Sequence, residues 1–309
     1  MARALDRERY RSLEPVPGAP PPSVSPSDAQ TPETSATIVT AAQRINQAAG
    51  TIAISVLIDS AMEHYRGNFH NKAMWTPIVT SLLTIAASAH GRADRRHGAD
   101  PVRDAVYLAA GIAGAVGTGF HIYNVNKKVG GFSWQNIFYS APLGAPAAMS
   151  LSGLMGFLAE RVRDNRPEES DPRVFGLPAG RVVAAVTAVS LLGTTAEAGL
   201  LHFRGAFHNP AMLLPVTMPP IAAGLLGKAA IGLASADRTP SKAWLTATVI
   251  MGIAGVGLHA YGVSRGMGGW RNWRQNAFAG PPLPAPPAFT GLALAGLAAL
   301  ALLKDSARD

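Results

Sequence analysis

Six histidines occur in two matching sets, and imidazole is the commonest protein ligand for a metal ion. The first set lies in and after the stretch HYRGNFHNKAMWTP (64–77), and the second in and after HFRGAFHNPAMLLP (202–215), 138 residues later. His121 and His259 recur at the same interval, and after a two-residue insertion Gln135 and Asn136 recur 140 residues later as Gln275 and Asn276. The sequence therefore predicts one histidine-rich site in each half of the chain.

A first interpretation is haem b held between two imidazoles from different helices of a bundle. Arginine matches carboxylates through two parallel hydrogen bonds, so one arginine in each half is expected to bind the propionates. The glycines that precede His121, namely Gly114, Gly117 and Gly119, would leave room for the porphyrin edge. The predicted cofactor-binding residues are His64, His121 and Arg66 in the first half, and His202, His259 and Arg204 in the second.

A second interpretation is a non-haem metal site of imidazoles and one carboxylate, a ligand set that suits Zn, Fe, Mn or Cu. Asp59 and Glu197 are equivalent acidic residues inside apolar stretches. Glu197 and His202 would point about 140° away from each other on a continuous helix, so a shared site requires the helix to end between them. The full predicted set is Asp59, His64, His70, His121, Glu197, His202, His208 and His259.

Two further interpretations stay open. Ionisable side chains inside membrane spans mark ion or proton paths, which would make Asp59 and Glu197 the ion sites of a transporter or channel. The histidines at helix ends would alternatively cap carbonyl groups in a structural membrane anchor for a periplasmic partner.

The elements that position these residues are apolar blocks. Charged residues make up 15% of the chain, against about 25% in ordinary soluble proteins. Crossing a bilayer takes about 20 apolar residues. The blocks are 37–62, 75–89, 106–121, 141–158, 182–201, 212–236, 243–259 and 283–303. We predict an all-α integral membrane protein with about eight transmembrane helices, arranged as two tandem four-helix repeats in parallel orientation.

Composition divides the chain into four parts. Residues 1–36 are rich in Pro, Ser and charge, which predicts a disordered cytoplasmic tail. Residues 163–180 form a charged cytoplasmic linker between the repeats, which occupy 37–162 and 181–304. Arg and Lys are concentrated in the tail, the linker and the loops on the same side, which predicts cytoplasmic termini in a bacterial-type inner membrane.

Residue types and motifs that are absent from the sequence exclude several kinds of site. The chain has no cysteine, which excludes disulfides, thiolate metal sites, iron–sulfur clusters and covalently attached haem. No nucleotide-binding glycine loop, HExxH motif or nucleophile elbow is present, and whether the chain is an enzyme stays open. The net charge of +8 is assigned to loops that face anionic lipid rather than nucleic acid. The expected function is electron transfer between the quinone pool and a periplasmic redox partner through haem b or a related metal.

Overall fold

Ten helices form the body of the computed structural model, which describes residues 26–140, 142–166, 172–233 and 237–305, with side chains between 36 and 303. The helices are α1 (Pro26–Arg66), α2 (Thr76–Ala93), α3 (Pro101–Asn126), α4 (Trp134–Tyr139), α5 (Gly144–Arg163), α6 (Ala179–Arg204), α7 (Leu214–Ala230), α8 (Thr239–Ser264), α9 (Trp273–Ala279) and α10 (Pro287–Asp305). Turns of 3₁₀-helix lie at Lys72–Trp75, Pro210–Leu213 and Gly269–Asn272, and an antiparallel ribbon of β1 (Arg173–Val174) and β2 (Leu177–Pro178) joins α5 to α6.

Five helical segments in the described part of the chain are long and apolar enough to cross a bilayer. Their outward faces carry large apolar side chains, such as Ile112 on α3 and Ile253 on α8, which are 64% and 62% exposed. Apolar surface of this extent is stable in lipid rather than in water. The segments are Ala36–Arg66, Pro101–Asn126, Ala179–Arg204, Pro210–Ala230 and Thr239–Ser264. The prediction of an all-α, multi-pass membrane protein is confirmed at this level.

The first helix begins earlier than the sequence suggests. α1 starts at Pro26 and so extends into the segment 1–36 predicted to be a disordered tail, while residues 1–25 lie outside the described residues. The predicted linker 163–180 contains the β-ribbon, whose Val174 is buried and joins the hydrophobic core. This part of the linker is therefore packed against the helices.

The same helix packing occurs in both halves of the chain. In the first half (α1–α5), α1 packs on α2 and α5, and α3 packs on α5; in the second half (α6–α10), α6 packs on α7 and α10, and α8 packs on α10. Glycines at equivalent positions allow the close approach. A Cβ added to Gly156 would lie 2.2 Å from the Tyr107 ring, and one added to Gly296 would lie 2.7 Å from Leu245. We call the end of the bundle where α1, α3, α6 and α8 finish the histidine end, and the opposite end the linker end.

The two halves meet mainly where α10 packs on α1. Gly291 makes this approach possible, since a Cβ there would lie 2.8 Å from Ile52 and 2.9 Å from the Ala48 carbonyl oxygen. The position equivalent to Gly291 in α5 is Leu151, and α5 contacts α6 much less than α10 contacts α1. The larger side chain gives a physical reason for the unequal contact.

Aromatic side chains also join the halves at the histidine end, in a reciprocal way. Phe138 in α4 stacks on Phe203 at the end of α6, with ring centres 6.0 Å apart. Phe278 in α9 stacks on Tyr65 at the end of α1, with ring centres 5.5 Å apart. Each half thus places its short helix on the first long helix of the other half.

Candidate histidine sites at one end of the bundle

The last turns of α1 and α6 each hold one histidine in the same contact. His64 Nδ1 lies 2.6 Å from the carbonyl oxygen of Met74, and His202 Nδ1 lies 2.8 Å from that of Met212. A carbonyl oxygen can only accept, so Nδ1–H is the donor in both contacts. The neutral imidazole then keeps the lone pair of Nε2 free to bind a metal or accept a proton.

The histidines of α3 and α8 repeat this arrangement one connection later in the chain. His121 Nδ1 donates to the carbonyl oxygen of Pro142, and His259 Nδ1 donates to that of Pro282 at 2.6 Å. A second ring nitrogen held by a backbone carbonyl is the usual way in which a protein orients a ligating imidazole. All four histidines therefore present Nε2 from a fixed ring.

Each half brings its two oriented histidines close together. The rings of His202 and His259 have centres 6.4 Å apart and planes 66° apart, and His64 has His121 as an electrostatic neighbour. With metal–nitrogen bonds of about 2 Å, two imidazoles on opposite sides of one metal have ring centres about 6 Å apart, against about 5 Å for tetrahedral ligation. The ring-centre distance in the second half is therefore short enough for both imidazoles to reach one metal ion.

His70 and His208 do not join these pairs. Both are exposed on the turn after the first helix of their half, where Nδ1 donates to the carbonyl oxygen of Gly67 or Gly205 at 2.9 Å. The following residues, Asn71 and Asn209, each accept a hydrogen bond that caps a 3₁₀ turn. The structure thus gives these predicted ligands and their neighbours a local role in the turn.

The carboxylates do not join the histidines either. α1 and α6 run unbroken to Arg66 and Arg204, so Glu197 and His202 point in different directions and the helix end required for a shared metal site is missing. Glu197 instead packs against Gly144 at the start of α5, accepts its N–H, and lies within electrostatic range of Asp59. Within the described residues, no group of three or more His, Asp or Glu side chains is arranged to hold one metal ion.

The glycine face before His121 does not leave the room expected for a porphyrin edge. A Cβ on Gly114 would lie 2.3 Å from the backbone nitrogen of Ser150, and one on Gly117 would lie 3.1 Å from Pro146, so α5 fills this face. Gly119 has open space around it, with no contact within 4 Å. The glycines mainly allow close helix packing, as small residues commonly do in membrane bundles.

The two arginines expected to bind propionates have different neighbours. Arg66 Nη1 lies 2.9 Å from Glu63 Oε1, on the exposed surface of the helix end. The Arg204 guanidinium lies 4.7 Å from the ring centre of Tyr139, which belongs to the other half. Both arginines are exposed at the histidine end, next to the histidine of the same turn.

A cavity of about 360 Å³ opens beside α8. It lies between α1, α8 and α10 and is walled mainly by apolar atoms. Its two threonine hydroxyls are already bonded to backbone carbonyls in their own or the neighbouring helix. The lining residues are Thr51, Gly252, Ile253, Val256, Gly257, Pro287 and Thr290.

A buried ion cluster at the linker end of the first half was not predicted. Arg103, with 2% of its side chain exposed, contacts Glu160 at 2.8 Å and Asp94 at 3.0 Å. Arg163 is fully buried and donates to carbonyl oxygens at the end of α2, including that of Gly91 at 2.7 Å. Burial raises the pKa of Asp94, but hydrogen bonds from Arg96 and Arg103 lower it more, so this pKa lies well below its usual range.

The sequence carries a signal for this cluster. Glu160 and Arg163 end an apolar block, and charged side chains in such a place need partners. Comparison of the two halves does not indicate Glu160 and Arg163, because the equivalent positions are Leu300 and Leu303. The cluster therefore belongs to the first half alone.

No protein-family model, curated protein or solved structure matches this chain.

Proposed function

We propose that this membrane protein is an electron-transfer subunit in which each half binds haem b, or a related redox metal, between two histidines. The observation that carries the proposal is the pair of carbonyl-oriented imidazoles in each half, with ring centres 6.4 Å apart in the second. Histidine is a common ligand of haem iron, so in each half these two imidazoles would hold the group through Nε2. The group itself would supply the one-electron chemistry.

The proposed architecture is a tandem duplication with about eight membrane spans in two units of the same orientation. Its support is the set of contacts made twice at equivalent positions. Besides the histidine contacts, Ser150 Oγ donates to the Gly111 carbonyl, and Thr290 Oγ1 donates to the Val249 carbonyl. Four spans return the chain to its starting side, so the two histidine sites would lie on one membrane face.

The proposed orientation puts the histidine end outside and the linker end in the cytoplasm of a bacterial-type inner membrane. Arg92, Arg95 and Arg96 are exposed at the linker end, as are Arg173 and Arg181. Lys and Arg are more numerous at the linker end than at the histidine end, and such an excess marks the cytoplasmic side. Electrons would then pass between the quinone pool in the bilayer and a redox partner in the periplasm.

The direct test is the absorption spectrum of the detergent-purified protein, oxidised and reduced with dithionite, together with its metal content. Cells supplied with iron and a haem precursor should yield a Soret band with sharp reduced peaks. His259→Ala should remove the chromophore of the second half and leave that of the first. His208→Ala is the matched control, because that histidine is exposed on the adjacent turn. A full set of chromophores in His259→Ala, or no metal at all in the wild type, would overturn the proposal.

A second candidate function is an ion or proton path between the halves. The observation in its favour is that Asp59 and Glu197, equivalent in the repeat, lie within electrostatic range of each other across the boundary. Only Glu197 has a backbone donor, because the position equivalent to Gly144 is Pro284, which has no N–H. Glu197→Gln should abolish ion or proton flux in proteoliposomes, whereas Glu63→Gln, at the exposed helix end, should not. Equal flux in the two variants would exclude this function.

A further inference from the structure

The loops that follow α3 and α8 each present an apolar side chain entirely outside the protein. We call residues 127–133 and 265–272 the rim loops. Val129 is fully exposed, and Met267 at the equivalent position is 90% exposed. Phe132 and Trp270, also equivalent, are 54% and 57% exposed. Transfer of such side chains out of water is favourable, so these loops favour an apolar environment.

Both rim loops are held in shape by the same internal brace. Asn136 Nδ2 donates to the carbonyl oxygens of Val129 and Gly131 at 3.0 and 2.8 Å. Asn276 Nδ2 donates to those of Met267 and Gly269 at 3.2 and 2.9 Å. Both asparagines are buried. These hydrogen bonds fix the conformation of each rim loop and so hold its tip side chain in the exposed position.

Glycine is required at the two bends beside each tip. Gly130 and Gly131 have φ values of 91° and 54°, and Gly268 and Gly269 have φ values of 80° and 55°. This left-handed region is readily available to glycine and strained for other residues. The bends turn the tip side chain away from the helix bundle.

The charged residues of the rim loops all have one sign. Lys127 and Lys128 precede Val129, and Arg265 and Arg271 flank Met267; all four are exposed. The sequence contains no Asp or Glu from 105 to 159 or from 238 to 304. A cationic loop without acidic partners is complementary to phosphate groups.

Helix length places the rim loops at the depth of the lipid headgroups. α3 and α8 have 26 residues each. At 1.5 Å per residue they are about 39 Å long, against about 30 Å for the hydrocarbon core and about 40–45 Å for the whole bilayer. The chain therefore leaves each helix within the headgroup layer rather than beyond it, where a soluble partner would bind.

We infer that the rim loops anchor the histidine end in the membrane interface. Val129 and Met267 insert below the headgroups, while the lysines and arginines beside them contact anionic lipid phosphate. Apolar tips, aromatic rings and cations at one depth are the combination that membrane interfaces select. The inference depends on the membrane-spanning fold and does not depend on haem or metal binding.

Spin labels give the test, and the absence of cysteine makes single-site labelling clean. Val129→Cys and Met267→Cys are labelled and reconstituted into vesicles of phosphatidylcholine and phosphatidylglycerol, with Arg95→Cys as an exposed control at the linker end. Collision rates with oxygen and with a water-soluble nickel chelate are then measured. Both tip labels should favour oxygen over the chelate several-fold more than the control does.

Two further measurements separate lipid insertion from protein docking. Vesicles without phosphatidylglycerol, or a Lys127→Gln/Lys128→Gln background, should raise chelate access at residue 129. Tips as accessible to the chelate as Arg95→Cys would overturn the inference. So would tips that lie in water until a membrane extract is added, since that result indicates a protein partner. Unchanged elution and helicity of each labelled variant show that the fold is kept.

Discussion

The buried ion pair between Arg103 and Glu160 gives the most direct test of how the first half is stabilised. Neither side chain is in water, with 2% and 0% exposed, and the two guanidinium–carboxylate contacts measure 2.8 and 2.9 Å. Removing one partner of such a pair leaves an uncompensated charge and typically costs about 3–5 kcal/mol. Glu160→Leu should lie near the lower figure, because Asp94 still contacts Arg103 at 3.0 Å. Arg103→Leu should lie near the upper figure, because Glu160 then loses both of its guanidinium contacts and Asp94 keeps only Arg96.

The double variant Arg103→Leu/Glu160→Leu should be far more stable than the sum of the singles implies. Replacing a buried ion pair with apolar residues is often neutral or stabilising by about 1–4 kcal/mol. The second half already carries the apolar form at one of these positions, as Leu300, and keeps the same helix packing.

The assay is reversible unfolding in mixed detergent micelles, followed by helicity, for the wild type, both single variants and the double variant. From the four free energies of unfolding the coupling between the two residues is obtained directly. Additive single effects, or single variants as stable as the wild type, would refute the reasoning.

Three further predictions test separate parts of the fold. Asp94→Asn should make the free energy of unfolding less dependent on pH in acid. Folding lowers the pKa of Asp94, so its contribution to stability is complete above about pH 4, the unfolded value, and is lost as the pH falls below it. Unfolding measured between pH 6 and pH 3 checks this. Gly291→Leu should cost about 1–3 kcal/mol by overpacking against Ile52, while Gly193→Leu, with open space around it, should cost less in the same unfolding assay. Asn209→Ala should cost about 1 kcal/mol by removing a cap and leave any absorption spectrum unchanged, which separates its capping contact from a role in tuning a metal.

The five long membrane segments could be predicted from the sequence because their signal is additive. Each apolar block sums many small transfer free energies, so a few unusual residues do not hide it. The start of α1 is less predictable, because Pro and Ser between 26 and 36 resemble a linker and the helix nonetheless extends through them.

The candidate site was predicted in part for a similar reason. Repetition singled out His64, His121, His202 and His259, and the structure does bring these together in pairs. The repeat does not show that α6 continues past Glu197. Helix ends depend on the contacts of the following turn, here the left-handed Ala206 and Phe207. Nor could the repeat indicate the Arg103 cluster, which has no counterpart in the second half.

The chemistry of imidazole distinguishes a ligand role of the retained histidines from simple capping of carbonyl groups. Where only a hydrogen bond is needed the halves have diverged, as with the donors Ser150 and Thr290. Asn, Ser or Lys would also satisfy the carbonyls of Pro142 and Pro282, yet both donors are imidazoles, the group that offers a second nitrogen. His259→Asn keeps a donor at the Nδ1 position and removes Nε2, so it should keep the stability of the wild type, whereas His259→Ala should lose about 1 kcal/mol. Both variants should lose the metal or haem of the second half. Full binding by His259→Asn would mean that the imidazole serves the carbonyl alone.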